Sequence, residues 1–247
     1  MTSADKKTIR SLTVPCYATD IAHYLKPSAF MDLAQELANL SADSLGFGYD
    51  DMQRYGTAWV LSRFEARFLQ MPRWKDAVEL QTWHKGFSGP FYVRDFRMTG
   101  ADGQPAVLAT SSWLILDVAS RRLLRREHLE GRLPLDTVCP ESALEEACGK
   151  VTMPGEELEE MAEHRVSYSD VDMVGHANNA RYVAWAMDCL DFEEAAVQRL
   201  KRLRINFNRE TLPGDVVALF RAPVTGGWAV EGRVGDKSCF CAELLFE

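Results

Sequence analysis

The sequence predicts an α+β fold of two tandem units, each a long helix packed on an antiparallel sheet. Three observations carry that prediction: the chain echoes itself at a fixed spacing, each half opens on a helical apolar stripe, and each stripe is followed by segments of strand character. Phe64, Phe68, Asp76, Val78 and Leu80 recur as Leu203, Phe207, Asp215, Val217 and Leu219, every pair 139 residues apart, with Pro72 and Pro213 at nearby places. The 247 residues accommodate two domains of roughly 100 to 150 residues each.

The first helix is expected to start at Pro27 and Ser28, because proline suits a first helical turn, and to end near Gly46. Phe30, Leu33, Leu37, Leu40 and Leu45 form its apolar stripe. In the second half Asn178 or Asn179 can cap a helix whose inner face carries Tyr182, Val183, Ala186, Met187 and Leu190. Strand pattern follows. Val78, Leu80 and Thr82 alternate with Glu79 and Gln81, while Trp228, Val230 and Val234 alternate with Ala229, Glu231 and Arg233. Ser111 to Asp117 is a nearly continuous apolar run, and Phe96 to Gln104 and Gly232 to Lys237 each read as a strand entering a Gly/Asp turn. A sheet with one apolar face buries it against the helix, which gives a two-layer unit, and two such units can share one continuous sheet.

The acidic stretch from about His128 to Glu163 contains proline and glycine and reads as a linker, with helical character expected around Glu141 to Cys148. Residues 141–163 hold eight glutamates against one lysine, a net −7 out of the chain's −8, so the rest is nearly neutral. Local basic clusters stand at Arg121, Arg122, Arg125 and Arg126 and at Lys201, Arg202 and Arg204, but no broad basic face interleaved with aromatics points to nucleic acid. The first twenty-five residues lack the apolar stretch of a signal peptide, and nowhere do about eighteen apolar residues run together, so a cytoplasmic protein with no membrane segment is expected. Cys16, Cys139, Cys148, Cys189, Cys239 and Cys241 form no CxxC pair and read as reduced thiols, the last two on one side of a core strand.

Chemistry concentrates in YSDVDMVGHANNARY, Tyr168 to Tyr182, which sets Asp170, Asp172, His176, Asn178 and Asn179 just ahead of a helix. Unpaired N–H groups and the dipole at a helix start favour negative charge, as a developing oxyanion requires. The residue types alone also allow a plainer account, with the aspartates and asparagines as turn and cap residues and the histidine as a satisfied loop residue. Gly86 to Pro90 is not a nucleophile elbow, since proline replaces its last glycine, and Cys189 reads as a packed thiol.

The pattern D-x-D-x-x-G-H-x-N-N-x-x-Y in that segment resembles the signature of hotdog thioesterases, both the 4-hydroxybenzoyl-CoA type and the acyl-carrier-protein type. Trp59 to Trp74, Glu79 to Trp83 and Ser111 to Arg125 are similar to the first half of bacterial acyl-acyl-carrier-protein thioesterases, and Ile205 to Asp215 resembles the strand that carries their catalytic carboxylate. The resemblance spans nearly the whole chain in order and implies a double hotdog. It sets Asp172, His176 and Glu210 on the family's catalytic places. Glu210 is then the general base for water, His176 orients the water or carbonyl and protonates the departing thiolate, and Asp172 positions the histidine or serves as an alternative base. Backbone N–H groups at Gly175 and the helix start are expected to hold the oxyanion.

Two positions depart from the family. Val174 stands where many members have asparagine, and it can neither donate nor accept a hydrogen bond; Thr211 stands where plant members have cysteine. At the repeat spacing Glu210 falls on Met71, which is no base, and the first half has Asp20 and His23 but no GHxNN run. One half is therefore expected to be catalytic and the other to supply the acyl pocket: 1–135 the pocket domain, 136–160 the linker, 161–247 the catalytic domain. The implied reaction is hydrolysis of acyl-acyl-carrier-protein thioesters to free fatty acid, with the acylated carrier as partner and no cofactor or metal; a homodimer is compatible with it. An acyl-CoA thioesterase using the same centre and a non-catalytic acyl-binding protein, the latter motivated by Val174, stay open beside it. Phe30, Met31, Leu33, Leu37, Leu40 and Trp59 either line an acyl tunnel or pack the core, and the basic clusters either steer an acidic carrier or are solvated edges.

Overall fold

The computed structural model describes residues 6–125, 137–155, 158–192 and 199–246. The first half contributes β1 (Thr8–Thr13), α1 (Pro27–Ser44), α2 (Tyr49–Arg54), β2 (Thr57–Phe68), β3 (Ala77–Ser88), β4 (Phe91–Gly100), β5 (Pro105–Asp117) and the short β6 (Arg122–Leu124). The second contributes β7 (Glu159–Arg165), α3 (Asn179–Asp188), β8 (Leu200–Phe207), β9 (Val216–Val224), β10 (Gly227–Val234) and β11 (Lys237–Phe246). The eleven strands join one antiparallel sheet in the order β1-β3-β4-β5-β2-β8-β11-β10-β9-β7, with β6 paired to β5. The order is a palindrome under the sequence repeat: β1 answers β7, β3 answers β9, β4 answers β10, β5 answers β11, and β2 meets β8 at the centre. There Phe64 lies opposite Ile205 and Arg63 opposite Asn206. The outermost β7, EEMAEHR, is charged, as an unpaired sheet edge requires.

Helix α1 lays Phe30, Met31, Ala34, Leu37 and Ala38 on the sheet, with the Phe30 ring 6.4 Å from Phe64 and 6.0 Å from Phe68. Leu40 departs from the predicted stripe and is 44% exposed. Ten residues beyond Phe30 at 3.6 residues per turn, it has rotated about 80° off the buried line. The second helix is short rather than long: α3 has 10 residues against 18 in α1, and Leu190 lies beyond its end. The Asn178 side chain caps α3 by accepting the Ala180 N–H at 2.9 Å. The two helices touch through Arg181 on Asp32 (2.8 Å) and through the Gln35 amide, which donates to Asn178 Oδ1 (2.7 Å).

Residues 141–148 form no helix, contrary to expectation, and the described part of the acidic stretch is not a loose linker. It runs across the sheet face opposite the helices. Trp83 Nε1 donates to Glu141 O, the Ala143 N–H donates to Asp95 at 2.7 Å, Lys85 donates to Leu144 O, and the Val151 N–H donates to Asn206 at 3.0 Å. This strap buries Leu144, Cys148 and Val151 and explains why Trp83, Asp95 and Asn206 are buried on the second sheet face. Strand β10 does not alternate either: Ala229, Val230, Glu231 and Gly232 are buried in succession, and a bulge follows Gly232. The described cysteines are all free thiols, every one except Cys16 buried. Among the described residues no helix is long and apolar enough to cross a membrane.

Candidate active site

The loop ahead of α3 is built by its own aspartates. Buried Asp170 accepts the Ser167 N–H at 2.8 Å and lies 2.9 Å from His164 Nε2, while its carbonyl accepts the Asn178 N–H. Asp172 accepts the Val174 N–H on one oxygen and the Asn178 amide on the other, both at 3.0 Å, and its own N–H donates to His176 O. Its carboxylate therefore closes the turn that carries the histidine, and among the described residues it makes no hydrogen bond to the ring. Gly175 sits at φ +83°, a left-handed conformation natural to glycine, and donates its N–H to Asp172 O at 3.0 Å. That amide is committed to the turn and is not the free oxyanion donor expected of it. Among the described residues the N–H groups of His176 and Asn179 have no protein acceptor. The Val174 side chain lies half in solvent.

The backbone bond from the Ala177 N–H to Thr211 O (3.0 Å) joins the residue after His176 to the residue after Glu210. Thr211 is fully buried and locked by Tyr182, whose hydroxyl accepts the Thr211 N–H at 3.0 Å and shares a 2.9 Å bond with its hydroxyl. Burial pushes the Tyr182 phenol above its ordinary range, so it stays a neutral anchor. As a result Glu210 Oε2 stands 3.4 Å from His176 Nε2, with the side chains 36% and 34% exposed. The other oxygen, Oε1, accepts Arg121 Nη2 at 2.5 Å. Arg121, from the turn between β5 and β6, is the site residue that sequence reasoning placed elsewhere, among carrier-steering charges.

The first half repeats this scaffold without its chemistry. The Leu25 N–H donates to Pro72 O at 2.8 Å as Ala177 does to Thr211, and the bridge of Thr19 with Leu25 copies that of Val171 with Ala177. In that alignment Asp20 matches Asp172, His23 (φ +68°) takes the place of Gly175, Tyr24 that of His176 and Met71 that of Glu210. The Tyr24 ring is covered by the guanidinium groups of Arg73 at 4.7 Å and Arg199 at 4.1 Å. An acid-base pair is formed only at the second-half copy of the scaffold.

Residues 5–128 match the acyl-ACP thioesterase N-terminal domain model and residues 155–232 the C-terminal domain model of the same family. The chain belongs to the acyl-ACP thioesterase family. It is 27% identical over 235 residues to an oleoyl-acyl carrier protein thioesterase of Coriandrum sativum, which covers 85% of this chain and 61% of that protein. An Arabidopsis thaliana counterpart is 26% identical over 240 residues, covering 87% of this chain and 64% of its own length, so the chain spans under two thirds of these plant relatives. Its fold matches the acyl-ACP thioesterase structure from Bacteroides thetaiotaomicron at TM-score 0.89 and 22% identity over 100% of both chains. It likewise matches the 12:0-ACP thioesterase of Umbellularia californica at TM-score 0.87 and 19% identity, covering 98% and 97%.

In this member of the acyl-ACP thioesterase family a cavity opens between the C-terminal part of α1, where Ala38 and Ala42 leave room, and the first-half sheet. Its lining does not include His176 or Glu210, but strand register sets it at their end of the sheet. Trp59, a lining residue, is four positions before Arg63, and Glu210 is four positions after Asn206, which pairs with Arg63 in the antiparallel sense. Of the residues considered for a tunnel, Trp59 lines this cavity, whereas Phe30, Met31 and Leu37 are packed in the core.

His84 also lines the cavity, and burial pulls its imidazole down to about 4. The folded value lies below the unfolded one, so His84 contributes stability above about pH 6.5 that is lost as pH falls towards 4. Wild type should therefore lose about 2 kcal/mol more than His84→Phe between pH 7 and pH 5, read from urea unfolding of both proteins at each pH.

Proposed function

We propose that the protein hydrolyses acyl-acyl-carrier-protein thioesters to free fatty acid and carrier thiol. Two tandem hotdog units do so, with residues 1–135 supplying the acyl pocket, 161–247 the catalytic centre and 136–160 the join. The observation that carries this reading is the Glu210 carboxylate 3.4 Å from the His176 imidazole at the mouth of α3. Glu210 Oε2 takes a proton from water, whose oxygen attacks the thioester carbonyl. The tetrahedral oxyanion is held by the amides of His176 and Asn179, each such donor worth ~3 kcal/mol. Glu210 passes the proton it took from water across to His176, which gives it to the departing sulfur as the C–S bond breaks, leaving both groups as they began. Asp172 holds the turn, and Arg121 fixes the second oxygen of the base. Neither metal nor cofactor enters these steps.

The acyl chain runs from this centre past Trp59 into the first-half cavity. Family membership and the names of its relatives favour a carrier protein as donor. Of the basic residues first considered, Arg202 and Arg204 are engaged by Glu65 and Glu243, and Arg126 lies outside the described residues. Arg122, Arg125 and Arg209 are exposed with no carboxylate partner among the described residues, and they flank Arg121 and Glu210 in the chain. These are the charges that would meet an acidic carrier.

Matched acyl groups on carrier protein and on CoA test the reading. kcat/KM is expected to be at least about tenfold higher on the carrier, roughly what one well-placed charge contact contributes. Equal rates support the acyl-CoA reading, and absent turnover with retained acyl binding supports the non-catalytic one.

A further inference from the structure

The inner face of β3 and β4 holds two ionisable side chains under α1 where apolar ones are expected. His84 and Arg94 lie directly opposite each other, Arg94 lies opposite Ser111 on β5, and Ser111 lies opposite Phe64, whose ring packs on α1. All four share the face that α1 covers. Arg94 and His84 both line the cavity. The Arg94 side chain is partly buried, and burial lowers the proton affinity of its guanidinium to about 10, so it remains a cation at neutral pH. It donates to Thr82 Oγ1 at 3.3 Å, and among the described residues no carboxylate lies within ion-pair distance. His84 Nδ1 is 3.0 Å from the Val93 carbonyl, which can only accept, so the neutral ring carries its proton there and keeps Nε2 as an acceptor. A partly buried cation with no carboxylate beside it gains from a ligand that supplies the partner.

We infer that the cavity selects acyl chains whose far end carries an oxygen function, seated between the Arg94 guanidinium and His84 Nε2. The inference rests on the thioesterase reading and names its substrate class. Arg94 is three strands from β8 and level with Ile205, five residues before Glu210, so the two Cα positions are roughly 20 Å apart. The pair is thus too distant to touch the thioester and meets the opposite end of the chain. A terminal hydroxyl would accept from Arg94 and donate to His84; a terminal carboxylate would neutralise Arg94. Both present the same oxygen acceptor to the guanidinium.

The test uses the full chain and carrier-protein thioesters of equal length bearing a terminal methyl, hydroxyl or carboxyl group, over a series of lengths. One of the oxygenated arms should exceed the methyl arm in kcat/KM by about tenfold or more at its best length, and Arg94→Met should lower that ratio by about tenfold. The hydroxyl and carboxyl arms identify the group. A methyl preference at every length, or a ratio unmoved by Arg94→Met, overturns the inference while leaving hydrolysis standing. Calorimetric binding of the free hydroxy acids, dicarboxylic acids and plain fatty acids decides independently of turnover. Binding that prefers neither oxygenated acid over the plain one, or that Arg94→Met does not weaken, overturns it as well.

Discussion

Glu210→Gln is expected to lower kcat on an acylated carrier by at least about a hundredfold while KM moves by less than about threefold. The amide has the shape of the carboxylate and can still occupy the place beside His176, but it cannot take a proton from water. Because the Glu210 side chain is 36% exposed and its partner Arg121 is 67% exposed, the ion pair between them holds geometry more than stability. The melting temperature of the variant should therefore stay close to that of the parent, which separates a catalytic loss from an unfolded protein. Steady-state rates and a thermal melt on the same sample make the measurement. A fall in kcat of under about threefold would remove Glu210 from the base role.

The doubling was legible because it repeats apolar residues at one spacing, and such residues are fixed by the core they share. The palindromic strand order follows from it, and Met71 stands in the first half where Glu210 stands in the second. The strap was not legible. A stretch with eight glutamates reads as solvated, yet its backbone N–H and C=O groups, which carry no sequence signature, are what bind Trp83, Asp95 and Asn206. The short second helix escaped for a related reason: Leu190 continues the apolar period past the point where the helix ends.

Within the site the motif located the loop and the candidate residues but not the division of labour among them. Asp172 was expected to position the histidine, and the structure places both its oxygens on the turn, at Val174 and Asn178. Gly175 was expected to donate to the oxyanion, and its amide is spent within the loop. Both outcomes depend on which atom faces which, a property of the folded turn that residue type does not encode. Arg121 reaches Glu210 across 89 positions of sequence, beyond any local pattern. Arg94 was hidden for the opposite reason: an arginine in an alternating strand reads as an outward, solvated residue, and here its alternation points it under α1.

His176→Ala should cost about 10² to 10⁴ in kcat, the range of a general acid-base term. Its combination with Glu210→Gln should be no more than about tenfold worse than the poorer single variant, because in the proposed mechanism the two residues act on one proton and the loss of either breaks the same relay. Independent contributions would instead multiply, and multiplied losses would show that the 3.4 Å approach of the two side chains is incidental. Asp172→Asn completes the comparison. The new amide would face the Asn178 amide donor–donor, while Asn178 Oδ1 is already engaged by Ala180 and Gln35, so the turn loosens without removal of a proton acceptor from the centre. Its loss in kcat is expected to be about tenfold, well short of that for Glu210→Gln. An Asp172→Asn loss as large as that of Glu210→Gln would assign the proton to Asp172 and reverse the roles of the two carboxylates.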